Sequence, residues 1–141
     1  MTEHAVVGDG LDNVAAAIAQ MRTKNVDMIL CTGGMSVDPD DRTPAAIKAS
    51  GARIVTYGAP VLPGAMFMLA YMERDGKSIP VMGLPGCVMY AGRTIFDLVL
   101  PRVLCGERLT AEDIHVLGQG GLCLSCPVCT FPNCGFGKGV R

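Results

Sequence analysis

Tryptophan is absent from the 141 residues and aromatic side chains make up only 5% of them, so aliphatic residues and the nine methionines must fill any core. Charge is scarce as well. Only 18% of residues are charged and the formal net charge is -1, which gives no compositional support to a basic nucleic-acid surface. With half the chain hydrophobic, intrinsic disorder is not expected either. No apolar run is long enough for a bilayer: the longest, residues 59–72, is interrupted by Pro60, Pro63 and Gly64 and falls short of the roughly 18 residues a span requires. The opening MTEHAVVGDG has no basic stretch followed by an apolar one, so nothing marks it for secretion. The expectation is a cytoplasmic protein with no nucleic-acid or membrane partner.

What is abundant is glycine, with 18, and proline, with 9, which implies tight turns and loops lined by backbone. Seven cysteines are an odd number for a disulfide framework, and four of them crowd between Cys123 and Cys134. Cys31, Cys87 and Cys105 are scattered through apolar segments and read as small buried hydrophobes.

Apolar runs alternate with helical patterns. A short strand is expected over 4–8, a helix over 11–24, a buried strand over 26–31 and a short helix over 43–49 that opens on Thr43-Pro44. A third strand follows over 53–57, then a connection rich in Pro and Gly. Residues 66–72 and 78–84 flank Arg74-Asp75-Gly76-Lys77 and read as a hairpin. The spacing of Met89, Ile95, Phe96, Val99, Val103 and Leu104 predicts a helix over 88–104, with Pro101 in its last turn. Composition changes near residue 108, which divides the chain into an α/β domain over 1–107 and a Cys-rich tail over 108–141. Asp113 to Leu117 looks like a strand, and without a metal the Gly- and Cys-rich stretch beyond it has little means of holding a shape.

Three loops come before helices at the ends of expected strands: Gly8-Asp9-Gly10, 32–41 and 84–87. In a parallel sheet they gather along the carboxyl edge, where ligands bind. Backbone N–H groups of Gly33, Gly34 and Gly86 would cradle an anion there, and Ser36 adds a hydroxyl. The second loop also carries Asp38, Asp40 and Asp41. Carboxylates beside a phosphate-binding backbone are explained jointly by Mg²⁺ and a phosphorylated ligand; the alternative is that they cap the short helix and solvate a turn.

Residues 27–44, Asp-Met-Ile-Leu-Cys-Thr-Gly-Gly-Met-Ser-Val-Asp-Pro-Asp-Asp-Arg-Thr-Pro, resemble the glycine-rich segment of the molybdopterin-binding domain of molybdenum cofactor biosynthesis proteins. Leu62-Pro63-Gly64 is similar to that family's K-P-G loop and Leu84-Pro85-Gly86-Cys87 to its L-P-G-N-P loop, in the same order. The resemblance covers residues 5–106. It implies a three-layer α/β/α sandwich that binds molybdopterin or its adenylylated form. It also implies transferase activity of the molybdopterin adenylyltransferase or molybdotransferase type, and assembly into a homo-oligomer. By the same resemblance Asp9 and Asp41 would be the catalytic aspartates, holding Mg²⁺ or assisting phosphoryl chemistry. Gly33, Gly34 and Ser36 would cradle the phosphate end, with Pro63, Gly64, Pro85 and Gly86 shaping the pocket. The chain departs from the family at Leu62 and Ala65, which replace basic residues, at Asp38, which replaces Gly, and at Cys87, Val88 and Tyr90, which replace N-P-x-S. Arg42 and Arg93 are candidate substitutes for the lost cations. The family's first strand and helix have no counterpart in residues 1–8, so the expected fold lacks them and the chain reads as a piece of a longer protein.

In the tail, Cys123, Cys126, Cys129 and Cys134 offer four thiolates, with Pro127, Pro132 and Gly135 turning the backbone between them. Such spacing suits an iron–sulfur cluster, and tetrahedral Zn²⁺ also accepts four Cys. A non-catalytic scaffold whose tail holds Fe–S or Zn for partner contact or electron transfer is the competing function, with a molybdoenzyme as the implied partner. His115 reads as a surface or packed histidine.

Overall fold

In the computed structural model, which describes residues 1–139, four strands form one mixed sheet in the order β1-β4-β3-β2. The strands are β1 (Ile29–Thr32), β2 (Arg53–Tyr57), β3 (Met68–Arg74) and β4 (Lys77–Leu84). β1 runs parallel to β4, while β3 is antiparallel to both β4 and β2. The hairpin expected around Asp75-Gly76 is present: Arg74 pairs with Lys77, and both turn residues have positive φ, 50° and 76°.

Alternation along the two central strands splits the core in two. Phe67, Leu69, Tyr71, Met82 and Leu84 face a cluster that includes Ile95, Val99, Ile114 and Phe136. Met68, Ala70, Met72, Ile79 and Val81 face the opposite way, onto Ile18, Met35 and Ile47. One face is therefore covered by α1 (Leu11–Thr23) and α2 (Thr43–Ala49), and the other by α3 (Ile95–Leu104), α4 (Ala111–His115) and the segment beyond them. The result is the expected three-layer α/β/α sandwich. Helix α1 is secured at its last turn, where Arg22 donates to the Glu73 carbonyl from Nε (3.2 Å) and Nη2 (2.9 Å). Among the described residues no helix is long and apolar enough to cross a membrane.

Three local expectations change. Residues 4–8 form no strand: all are exposed, Val6 to 85%, and no neighbouring strand supplies the ladder a short segment needs. The helix expected from Val88 starts at Ile95, after a 3₁₀ turn over Gly86–Met89. Thr94 decides that start, accepting from the Phe96 amide (3.2 Å) while Asp97 accepts from the Thr94 amide (2.8 Å), a capping box that overrides apolar spacing. The same device, Thr110 with Asp113, makes helix α4 out of the segment that looked like a strand.

Residues beyond 108 are held by packing. Leu109, Ile114, Leu117 and Phe136 are buried in the same cluster as Val61 and Ile95. The Leu109 amide donates to the Tyr71 hydroxyl (2.9 Å), and Leu62 and Leu122 form an isolated parallel bridge, with the Leu62 amide on the Gly121 carbonyl and the Cys123 amide on the Leu62 carbonyl, each 2.8 Å.

Candidate functional site

Because β1, β2 and β4 run in the same direction, the loops that leave Thr32, Tyr57 and Leu84 emerge on one edge of the sheet. That edge carries 33–42, 58–67 and 85–94. It brings Gly33, Gly34, Ser36 and Asp41, Pro63 and Gly64, and Pro85 and Gly86 to a common side of the sheet.

The 33–42 loop is folded by its own backbone and side chains. Gly33 and Gly34 have φ of 83° and 58°, a region that side chains with a Cβ rarely occupy. A Cβ on Gly33 would meet nothing within 4 Å, so its backbone lies open to a ligand, whereas one on Gly34 would come within 2.8 Å of Thr43 Oγ1. Thr43 is buried and donates its hydroxyl to the Gly33 carbonyl (2.8 Å), while its amide donates to the Gly34 carbonyl (3.2 Å). Thr43, the first residue of α2, is thus a clamp on the glycine turn. Met35, 2% exposed, drives the loop inward against Gly83, where an added Cβ would lie 2.5 Å from the Met35 methyl. Sequence reasoning passed over both Met35 and Gly83. Their signal was a glycine inside an apolar strand.

The acidic group is divided by geometry. Asp41 Oδ2 accepts the Ser36 amide, and Asp38 Oδ1 accepts the Asp40 amide (2.9 Å), an Asx turn that shapes the loop. Asp40 lies 3.8 Å from Arg42, both exposed. Asp9 sits in the fully exposed lead-in to α1, one residue before its N-cap Gly10.

The second loop fits tightly against the third. Gly64 is buried with φ of 124°, and a Cβ there would lie 2.5 Å from Ile95 Cγ2. The Ile95 amide donates to the Pro63 carbonyl (3.1 Å), and the Leu62-Pro63 peptide is cis. Pro85 is buried, and Gly86 is exposed with open space where a Cβ would stand. Burial raises the Cys87 thiol above its ordinary value and pushes Cys31, in β1, up to about 11, so both are thiols at neutral pH.

The family comparison matches this edge. A family described as "Probable molybdopterin binding domain" matches residues 1–104. The chain belongs to the molybdopterin-binding domain family. No curated protein matches it. Membership places the protein in molybdenum cofactor biosynthesis or binding, and the match takes in all three loops of the edge.

The residues present fit an anionic pterin ligand in one respect that can be checked on this edge: Gly33 and Gly86 both present backbone to open space. A resident metal is not accommodated in the same way. Among the described residues no three His, Cys, Asp or Glu side chains gather to hold one. No such group forms at the expected Cys123, Cys126, Cys129 and Cys134, although all four border one cavity. Cys123 and Cys134 turn toward the apolar core and pack against it, whereas Cys126 and Cys129 are exposed. The Mg²⁺ reading loses part of its donor set for a related reason, since Asp41 and Asp38 each commit an oxygen to a backbone amide.

Proposed function

We propose that this molybdopterin-binding domain takes up molybdopterin or its adenylylated form at the edge formed by 33–42, 62–64 and 84–87. The observation that carries this reading is the glycine turn: two consecutive glycines at positive φ, clamped from behind by Thr43, with the Gly33 backbone open in front. Such a turn presents N–H groups that are already fixed in place, so little ordering cost opposes binding of an anionic end group. Ser36 stands next to the turn as a further donor, and Pro63 and Pro85 make the walls rigid. Asp41 acts by holding Ser36 through its amide; its second oxygen is the one available for a phosphate-bound Mg²⁺.

Adenylyl transfer or molybdate insertion would be the activity of such a site, within a homo-oligomer that hands its product to a molybdoenzyme. A second reading, pterin binding without catalysis, is favoured by one feature: Leu62 and Ala65 stand where the resemblance has basic residues beside P-G.

The test is co-purification. Anaerobically prepared protein is oxidised and assayed for the fluorescent molybdopterin derivative, beside Asp41→Asn. The expected result is pterin in the parent and a loss of about tenfold in the variant, the worth of one charge-assisted hydrogen bond. Equal pterin in both would remove Asp41 from the site. No pterin even after addition of molybdopterin and Mg-ATP would overturn the reading.

A further inference from the structure

Cys123, Cys126, Cys129 and Cys134 border one cavity of about 560 Å³, walled on its other side by Pro63 and the 90–93 segment. All four lie beyond residue 104, so the family match assigns them nothing. They are held unequally. The Cys123 amide donates to the Leu62 carbonyl (2.8 Å), Cys134 lies just before the buried Phe136, and both side chains pack against the core. Cys126 and Cys129 are exposed, on the solvent side of the same cavity.

Between the fixed pair, residues 124–133 form no helix or strand. Among the described residues, the Asn133 amide on the Thr130 carbonyl (2.7 Å) is the one backbone hydrogen bond that begins and ends there. Leu124 and Val128 are exposed, and Ser125 has a φ of 50°, in the left-handed region that a side chain with a Cβ rarely occupies. Ordering such a loop costs entropy that its own contacts do not offset, and a cross-link through its thiols supplies the difference. As the side chains stand, no three of them gather into a metal-binding group among the described residues. Cys126 and Cys129 have no backbone hydrogen bond among those residues, so drawing them inward breaks none.

The size of the cavity and the spacing of the thiols select the occupant. A single Zn²⁺ has four sulfurs at about 2.3 Å, and the cavity encloses far more space than that. Three cysteines at successive two-residue intervals match the compact runs that hold iron–sulfur clusters. A cluster on four thiolates is anionic overall, and Arg93, the one charged residue on the wall, supplies a cation there, with its guanidinium carbon 5.2 Å from the centre of the Phe131 ring.

We propose that the cysteine-rich tail holds an iron–sulfur cluster in this cavity, with Cys123, Cys126, Cys129 and Cys134 as its four ligands. Cys123 and Cys134 form the fixed half of the ligand set, and the outer pair closes over the cluster. Each thiol gives its proton to solvent as its sulfur bonds to iron, an exchange that consumes no oxidant or reductant. The site is independent of the pterin edge, whose residues supply none of its ligands.

Iron–sulfur reconstitution of the full chain tests this. The protein is reduced with dithiothreitol under anaerobic conditions, supplied with iron and sulfide and desalted, and bound iron, acid-labile sulfide and sulfur-to-iron absorption in the visible are measured. Iron and sulfide are expected in equal number on the parent. Cys126→Ser combined with Cys129→Ser should lower both about tenfold or more, since losing a group that only orients a metal ligand already costs about that much. Both side chains are exposed, so circular dichroism should show the fold unchanged. Cys105→Ser, at an exposed cysteine outside the cavity, should load as the parent does. Hydrogen exchange over 124–133 should slow on loading of the parent and not of the double variant, a change that iron scattered on surface thiols would not produce. Equal loading of the double variant and the parent would overturn the ligand set. An absence of bound sulfide in the parent would overturn the cluster, and a parallel loading with Zn²⁺ would then show whether a single ion takes the four thiols instead.

Discussion

Two glycine-rich segments of this chain, 33–42 and 118–136, take irregular courses for opposite reasons. The first is held locally. Its turns are closed by partners within ten residues: Thr43 on Gly33 and Gly34, Asp41 on Ser36 and Asp38 on Asp40. The second is held at long range. Leu122 bridges Leu62, the Gly137 amide donates to the Gly120 carbonyl (2.6 Å), and Phe136 inserts into the cluster behind the sheet. A segment with local partners announces itself in a short motif, whereas one with distant partners shows only composition.

The contrast can be broken most strongly at the point where loop and helix meet. Gly64→Val would place a branched side chain at φ of 124° and against Ile95, whose Cγ2 is 2.5 Å from the Cβ position. Destabilisation on the order of 4 kcal/mol is expected in denaturant titration, from backbone strain and overlap together. A loss below about 1 kcal/mol would show that the loop can move away from α3.

Truncating the anchor of the tail comes next. Phe136 is 3% exposed, and Phe136→Ala should cost about 3 kcal/mol by leaving a cavity. Hydrogen exchange should then quicken over 118–136 while the amides of α2 and the 33–42 loop keep their protection. Uniform loss across both segments would mean that they share one cooperative unit.

The smallest effect sharpens the comparison through pH. Hydrogen bonds from the Thr110 amide and hydroxyl, with Arg102 alongside, lower Asp113 from its ordinary 3.8 to about 2. Because the folded value is the lower one, this stabilisation is complete above about pH 5 and is lost as pH falls toward 2. It amounts to about 1–2 kcal/mol. Acid titration should loosen α4 and the segment after it in that window, and Asp113→Asn should flatten the transition. An unchanged acid limb in the variant would assign the transition to other carboxylates.

Much of the fold was legible. The hairpin, the strand 53–57 and helices over 11–23 and 43–49 follow from turn chemistry and period, which act within a few residues. The glycine turn was legible as a backbone cradle at Gly33-Gly34, but its clamp was not, since Thr43-Pro44 reads only as the start of α2 and its bond to the Gly33 carbonyl spans ten residues. What misled was apolar spacing read without its caps: Thr94 with Asp97 and Thr110 with Asp113 set where α3 begins and what 111–115 becomes. The cysteine spacing is a different case: Cys123 and Cys134 pack against the core, Cys126 and Cys129 are exposed, and all four border one cavity, an arrangement that composition alone does not describe.

The sequence by itself determined the edge that identifies the family, since positive-φ glycines, rigid prolines and the residues that brace them lie within short motifs whose physics is local. Only the tertiary structure decided where Arg93 and the tail sit. Their partners lie far apart in the chain: Phe131 stacks on the Arg93 guanidinium and Leu122 bridges Leu62, contacts that no local motif announces.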